Sequence, residues 1–336
     1  MMVLISDERG VHHRVGPNHP ESPARLDAVL RAAEHDSIRD AIIAVSPRQA
    51  TEEEVRRVHQ REMIDALELV RGREAHLDAD TAVSPESVDI AWRAAGAGLT
   101  AVELLASGAA DSAFCAVRPP GHHATSTTSM GFCLLNNVAV TAASLATAGE
   151  RVLVADFDAH HGNGTQDVFY DDPNVLVVSW HQSPLYPGTG AIDEVGGSSA
   201  LGATLNLPLH AGTTGDAYRA SLDGPVGEVI DRFGPTWLLI SAGFDAHRRD
   251  PITDMGLSAG DFADLTAALM ETVLPGRTIA FLEGGYDLGA LEMSALATMS
   301  SLAGASRHPE PSTSGSLGSL ALRRLFDRVA DAQGLR

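Results

Sequence analysis

Between Val154 and Thr165 an apolar run passes straight into Asp156-Phe-Asp-Ala-His-His-Gly-Asn-Gly-Thr165, a dense set of side chains suited to binding metal. Asp156, Asp158 and His160 alternate, so on an extended backbone they project to one face. Two carboxylates on one buried face repel each other and lose hydration, and a divalent cation offsets both penalties. An acidic strand end is also a common way to cap a helix. Capping accounts for one carboxylate. It leaves the second carboxylate, both histidines and the close-approach turn Gly162-Asn163-Gly164 without a purpose.

Catalytic zinc usually keeps three protein ligands and one open position. Asp158 and His160 supply two. Trp237-Leu-Leu-Ile-Ser-Ala-Gly-Phe-Asp245 repeats the pattern of apolar strand, glycine and carboxylate, which makes Asp245 the best third candidate, with His247 as its competitor. His122 and His123 follow the rigid turn Pro119-Pro120-Gly121, and tandem imidazoles beside a metal can act as general base and acid. Tyr286, after Gly284-Gly285, is either a packed aromatic or a donor to the oxyanion of a tetrahedral intermediate.

These residues need elements to hold them. β-rich runs occur at Met2 to Ile5, Ala113 to Val117, Arg151 to Phe157, Val175 to Trp180, Thr204 to Leu207, Trp237 to Ser241 and Thr278 to Leu282. Between them, Ser84 to Ala106, Leu135 to Ala148, Gly215 to Phe233, Ser258 to Val273 and Leu288 to Leu302 carry apolar residues at helical spacing. The alternation predicts a mostly parallel sheet with helices on both faces. Each chemical segment follows an apolar strand directly, and in such sheets ligands bind beyond the carboxyl ends of the strands. Four distant segments should therefore meet in one crevice. Residues 304–316, rich in Pro, Ser and Gly, read as a linker, and Leu322, Leu325, Phe326 and Val329 form a helical stripe that packs back on the core or on another subunit.

Composition narrows the partners. A chain of 336 residues, 44% hydrophobic, can bury a large core, and no compositional break divides it. The net charge of -20 argues against nucleic acid and suits cationic substrates. All 24 basic residues are arginine, a compositional bias that says little about function. Cys115 and Cys133 lie in apolar runs and read as buried free thiols of a reducing compartment. Met1 to Ile5 turns acidic at Asp7-Glu8 too soon for a signal peptide, and no apolar run approaches ~18 residues. A soluble, cytoplasmic protein with no membrane partner is expected.

Taken together, Arg118-Pro-Pro-Gly-His-His-Ala124, Gly131-Phe-Cys133, Asp156 to Gln166, Tyr186-Pro-Gly-Thr-Gly190, Gly243-Phe-Asp245 and Gly284-Gly-Tyr286 resemble the zinc-dependent histone deacetylases, in the manner of their class II-like bacterial members. The similarity runs from His12-His13 and His19-Pro-Glu21 to the helix near Leu302, with the motifs in family order. It implies the arginase–deacetylase fold: one α/β domain over residues 1–336, built on an eight-stranded, mostly parallel sheet, with residues 304–336 as linker and packed helix.

The resemblance assigns one zinc ion to Asp158, His160 and Asp245, so His247 loses the competition. His123 matches the general base and acid, His122 its electrostatic partner, Asp156 the residue orienting His122 and Asn163 the one orienting His123. Some deacetylases carry aspartate at this last position, and the neutral Asn163 should leave His123 with a lower pKa. Tyr286 matches the oxyanion donor. Phe132 and Tyr186 match aromatic walls of an acyl-amine tunnel that Gly131, Gly284 and Ile252 also border, and Asp80 matches a rim carboxylate. A structural potassium ion would use Asp156, Asp158, His160, Ser179 and Trp180, with a second site near Phe169, Asp172 and Val175.

The implied reaction removes an acyl group from an acylated amine, either an acetyl-lysine peptide or an acetylpolyamine. Polyamine-selective relatives place an acidic gatekeeper where this chain has Ile252, which lowers the second option. A binuclear manganese ureohydrolase shares the fold but would need further carboxylates after Asp245, where His247-Arg248-Arg249-Asp250 stands. A non-catalytic acyl-amine binding module is the remaining alternative. The C-terminal stripe and the loop Thr125-Ser-Thr-Thr-Ser129 are candidate surfaces for a homo-oligomer.

Overall fold

The computed structural model describes residues 1–305 and 307–335. In chain order the elements begin with β1 (Met2–Ser6), α1 (Pro23–Ala33), β2 (Ile42–Val45), α2 (Glu52–Val55) and α3 (Arg61–Val70). A small antiparallel pair, β3 (Ala75–His76) and β4 (Ala82–Val83), precedes α4 (Ser87–Ala106), β5 (Ser112–Ala116), α5 (Asn137–Thr147), β6 (Val152–Asp156) and α6 (Asn163–Phe169). Then come β7 (Val175–Gln182), β8 (Thr204–Leu209), α7 (Gly215–Leu222), α8 (Pro225–Phe233) and β9 (Trp237–Ala242). The last are α9 (Ala259–Met270), β10 (Thr278–Leu282), α10 (Leu288–Leu302) and α11 (Leu320–Ala332).

Eight strands form one sheet in the order β2-β1-β5-β10-β9-β6-β7-β8, and every pairing is parallel. Burial on both faces explains why the central strands are almost unbroken apolar runs. Alternate residues serve opposite cores: Leu153 and Ala155 pack on one side, Val152 and Val154 on the other. Because β5, β10, β9 and β6 are neighbours, the segments that leave their carboxyl ends must emerge side by side. Those are the four segments that carry the chemistry.

Some boundaries differ from the sequence expectation for identifiable reasons. The helix expected over Gly215 to Phe233 is two helices, broken at Gly224-Pro225, where proline has no N–H to continue the ladder. β2 is a short edge strand, half exposed, and its four apolar residues Ile42-Ile-Ala-Val45 are too brief a run to tell strand from helix. β6 ends at Asp156, so Asp158 and His160 lie on the loop beyond it and not on the strand itself. The tail read as a linker is tightly hydrogen-bonded to α7 and α9, and α11 packs its Leu322, Leu325, Phe326 and Val329 against the core beside β8. No helix among the described residues is long and apolar enough to cross a membrane.

Candidate active site and metal centre

Asp158 and His160 reach the site from the loop after β6, and Asp245 from the loop after β9. All three are buried, and their donor atoms lie within 4.8 Å of one another. His160 Nδ1 stands 3.1 Å from Asp158 Oδ1 and 2.9 Å from Asp245 Oδ2. Backbone groups fix the carboxylates: Gly284 N donates to Asp158 Oδ2 at 2.8 Å and Ala159 N to Asp245 Oδ1 at 2.7 Å. Gly284 is required by space, since a Cβ there would collide with both carboxylates.

The electrostatics of this cluster suit a cation. Burial, then the charge of Asp158, pushes the Asp245 carboxyl above the ordinary range. Burial opposes a charge on His160, but Asp245 and Asp158 outweigh it and raise its pKa to about 10. Two carboxylates and an imidazole, buried and convergent, are a donor set that zinc takes. His247 is turned away, with Nε2 2.6 Å from Glu310 Oε2, and it is Asp245 that completes the cluster with Asp158 and His160.

His122 and His123 lie beside the cluster, with ring centroids 4.0 Å apart. Their outer nitrogens meet different partners. His122 Nδ1 faces Asp156 Oδ2 at 2.9 Å, and His123 Nδ1 faces Asn163 Oδ1 at 2.7 Å. Burial alone would depress both histidines. For His122 the charges of Asp156 and Asp158 reverse that and hold its pKa well above the ordinary value. For His123 burial prevails, reinforced by His122 and His160, and the pKa falls well below it.

A cavity of about 230 Å³ opens over the cluster. Its lining brings together His122, His123, His160, Gly131, Phe132, Tyr186, Asp80, Ile252, Gly284 and Tyr286, ten positions singled out from the sequence, and adds Pro120 and Leu185. Phe132 is held at φ 69, a left-handed backbone that a bulky side chain rarely adopts, with its N–H on Thr81 Oγ1 at 3.1 Å. Gly131 before it leaves no room for a Cβ against the His123 ring. Tyr186 crosses His123 edge to face at 5.1 Å. Its loop is anchored by His161, which bonds Thr189 Oγ1 at 2.8 Å and Gln166 Oε1 at 3.0 Å. Ser179 and Trp180 lie in β7 outside the cavity, where the register sets Asp156 opposite Ser179. Near the other expected cation position, Asp172 N bonds Phe169 O and Val175 N bonds Asp172 O, a plain turn.

Several contributors escaped the sequence reading. Arg25, fully buried on α1, donates through Nε to Gly285 O at 2.7 Å, also bonds Glu283 O, and lies 4.9 Å from the Tyr286 ring centre. Glu21 pairs with Arg25 and takes both Nε and Nη2 of Arg118, tying α1 to the start of the His122-His123 loop. Glu283 Oε2 accepts from the N–H groups of Gly121 and His122 at 2.7 and 3.1 Å. Asp250 accepts from Tyr286 N at 2.8 Å. Glu21 stood inside a noticed motif and Glu283 directly before one. Arg25 gave no signal, because an arginine on a helix ordinarily reads as surface.

The parallel order of the sheet, with a buried Asp-His-Asp cluster at the ends of its central strands, defines an α/β protein of arginase–deacetylase architecture. A match to the histone deacetylase domain spans residues 19–302. A probable deacetylase from Archaeoglobus fulgidus is 37% identical over 318 residues, covering 91% of this chain and 89% of its own. One from Methanothermobacter thermautotrophicus is 38% identical and covers 98% of both chains. The crystal structure of the HDA15 HD domain superposes with a TM-score of 0.88 at 33% identity, over 99% of this chain and 95% of that one. The chain belongs to the histone deacetylase family.

Proposed function

We propose that the protein is a zinc-dependent amidohydrolase that removes acetyl or other acyl groups from N-acylated amines such as acetyl-lysine. Its support is the convergence of Asp158, His160 and Asp245 on the floor of a cavity whose walls hold His122, His123 and Tyr286. Zinc held by those three side chains supplies Lewis-acid polarisation of the amide carbonyl and acidifies water.

The chain's own residues do the remaining work. With Nδ1 donating to Asn163, His123 keeps Nε2 free to take a proton from the attacking water and pass it to the departing amine nitrogen. His122, paired with Asp156, holds positive charge beside the oxygen where negative charge develops. Tyr286 donates its phenolic hydrogen to that oxygen. Phe132 and Tyr186 flank the alkyl chain and exclude water, and Asp80 accepts from substrate amides at the rim. A structural potassium ion beside Asp156, Asp158, His160, Ser179 and Trp180 belongs to the same proposal, supported by the register of β6 and β7.

Ile252, half exposed at the mouth, gives a polyamine no counter-charge and favours an acyl-lysine substrate. Against a binuclear ureohydrolase, the residues after Asp245 are engaged elsewhere, His247 with Glu310 and Asp250 with Tyr286 N and Ile252 N. The test is a panel of acetyl-lysine peptides, acetylpolyamines and longer acyl amides, run with zinc and with chelator. Zinc-dependent amine release is expected. Two manganese ions per chain, or complete inactivity of the zinc-loaded protein, would overturn the proposal.

A further inference from the structure

The segment that follows the family match at residue 302 returns to the metal loop. Glu310 Oε2 lies 2.6 Å from His247 Nε2 and accepts from Ala259 N at 3.2 Å, while Oε1 takes Arg248 Nη2 at 2.6 Å. His247 is completely buried, two residues after Asp245. Its Nδ1 accepts from Arg249 N at 3.2 Å, so Nε2 carries the hydrogen and donates to Glu310.

His247 sits at the turn of a loop with several tasks. Arg248 N bonds Leu257 O at 2.8 Å and Leu257 N bonds Ala246 O at 3.1 Å, which closes residues 246–257 on themselves. Within the same stretch, Thr253 Oγ1 bonds Asp245 O, Asp250 holds Tyr286 N, and Ile252 borders the cavity. Glu310 grips this loop from outside. The rest of its strand of chain is anchored separately: Ser312 Oγ bonds Asp264 Oδ2 at 2.6 Å, Thr313 N bonds Asp261 Oδ1 at 3.0 Å, and Gly315 N bonds Asp216 Oδ2 at 2.9 Å. No Cβ fits at Gly260 against Glu310 O, so the strap lies directly on α9.

Resting on the metal assignment above, we infer that Glu310 is a positioning residue for the metal centre, acting through His247 to hold Asp245 in place. The strap is then part of the metal scaffold and not a spacer before α11. Partners that orient ligands typically contribute about 10–100-fold in metal affinity.

The experiment measures zinc retention by the full-length protein against a competing chelator, alongside thermal unfolding of the metal-free form. Glu310→Ala should lose zinc affinity by about ten-fold, at the low end because it acts through one intervening residue. Glu310→Gln, which keeps the volume and one acceptor for His247, should lose measurably but less than Glu310→Ala. Ser312→Ala, on the same strap but remote from the metal loop, should keep the parent affinity. If Glu310→Ala does not fold, Glu310→Gln decides. Equal zinc retention in parent and Glu310 variants would overturn the inference alone, as would an equal loss in Ser312→Ala, which would mark a general effect of strap stability. A parent that takes up no zinc would end the functional proposal together with this one.

Discussion

His123 Nδ1 and Asn163 Oδ1 stand 2.7 Å apart, and the other end of the Asn163 amide lies 3.5 Å from both His123 O and Met130 Sδ. That arrangement makes the amide oxygen the acceptor and leaves His123 Nε2 as the basic atom. The neighbouring His122 meets a carboxylate instead, at 2.9 Å. Burial lowers the proton affinity of both imidazoles; at His122 the charges of Asp156 and Asp158 outweigh it, whereas at His123 it prevails, with His122 and His160 adding to it and the Asn163 bond opposing it only in part.

Replacing Asn163 by Asp should reverse part of this difference. A carboxylate beside Nδ1 favours the protonated ring, which burial and the charges of His122 and His160 now disfavour. His123 would remain protonated to higher pH, so the acid limb of the kcat/KM profile should move upward by about one unit. A profile that stays in place would remove Asn163 from the control of this proton.

How much of this was legible in the sequence follows from burial. β5, β6, β9 and β10 are buried on both faces, so each shows as a near-continuous apolar run, and the chemical residues stand immediately after them. β2 is a run of only four apolar residues at a half-exposed edge, too short for periodicity to mark it as strand or helix. The pairing of Arg118 with Glu21 joins residues 97 positions apart, and no periodicity reports such a contact. The same holds for Glu310 and His247, because a Pro-Ser-Gly segment has the composition of a spacer whether or not its backbone is held.

Asp245 should show a split between metal affinity and stability. Asp245→Asn keeps the volume but removes a charge that burial and Asp158 oppose. The metal-free variant should therefore unfold no earlier than the metal-free parent, while its zinc affinity falls by at least about 100-fold. Calorimetry and chelator competition measure the two quantities. A variant that kept its zinc would show that the cluster does not hold the metal through this residue.

Glu283 offers a test that depends on pH. Burial, partly offset by His122, raises its carboxyl from the ordinary 4.5 to about 7. Between those values the folded chain keeps a proton that the unfolded chain has released. Stability therefore falls as pH rises through this window, and the deficit is complete above about pH 7. Glu283→Gln carries no such proton and can still accept from Gly121 N and His122 N. It should match the parent near pH 4 and exceed it at about pH 8 by up to roughly 3 kcal/mol. Denaturant titrations at both values decide, and a difference independent of pH would contradict the buried-acid account.

Tyr286 is held by its backbone and its ring. Its N–H is fixed by Asp250, its ring meets Phe132 edge to face at 6.0 Å, and Arg25 lies 4.9 Å from the ring centre. Tyr286→Phe should thus leave the ring in place and delete only the donor aimed at the developing oxyanion. Such a donor acts most strongly in the transition state, so kcat should fall by about 10²–10³ while KM changes little. A comparable rise in KM with kcat preserved would mean that the phenol binds the ground state of the substrate. In that case the oxyanion would have to be stabilised by the metal and His122 alone.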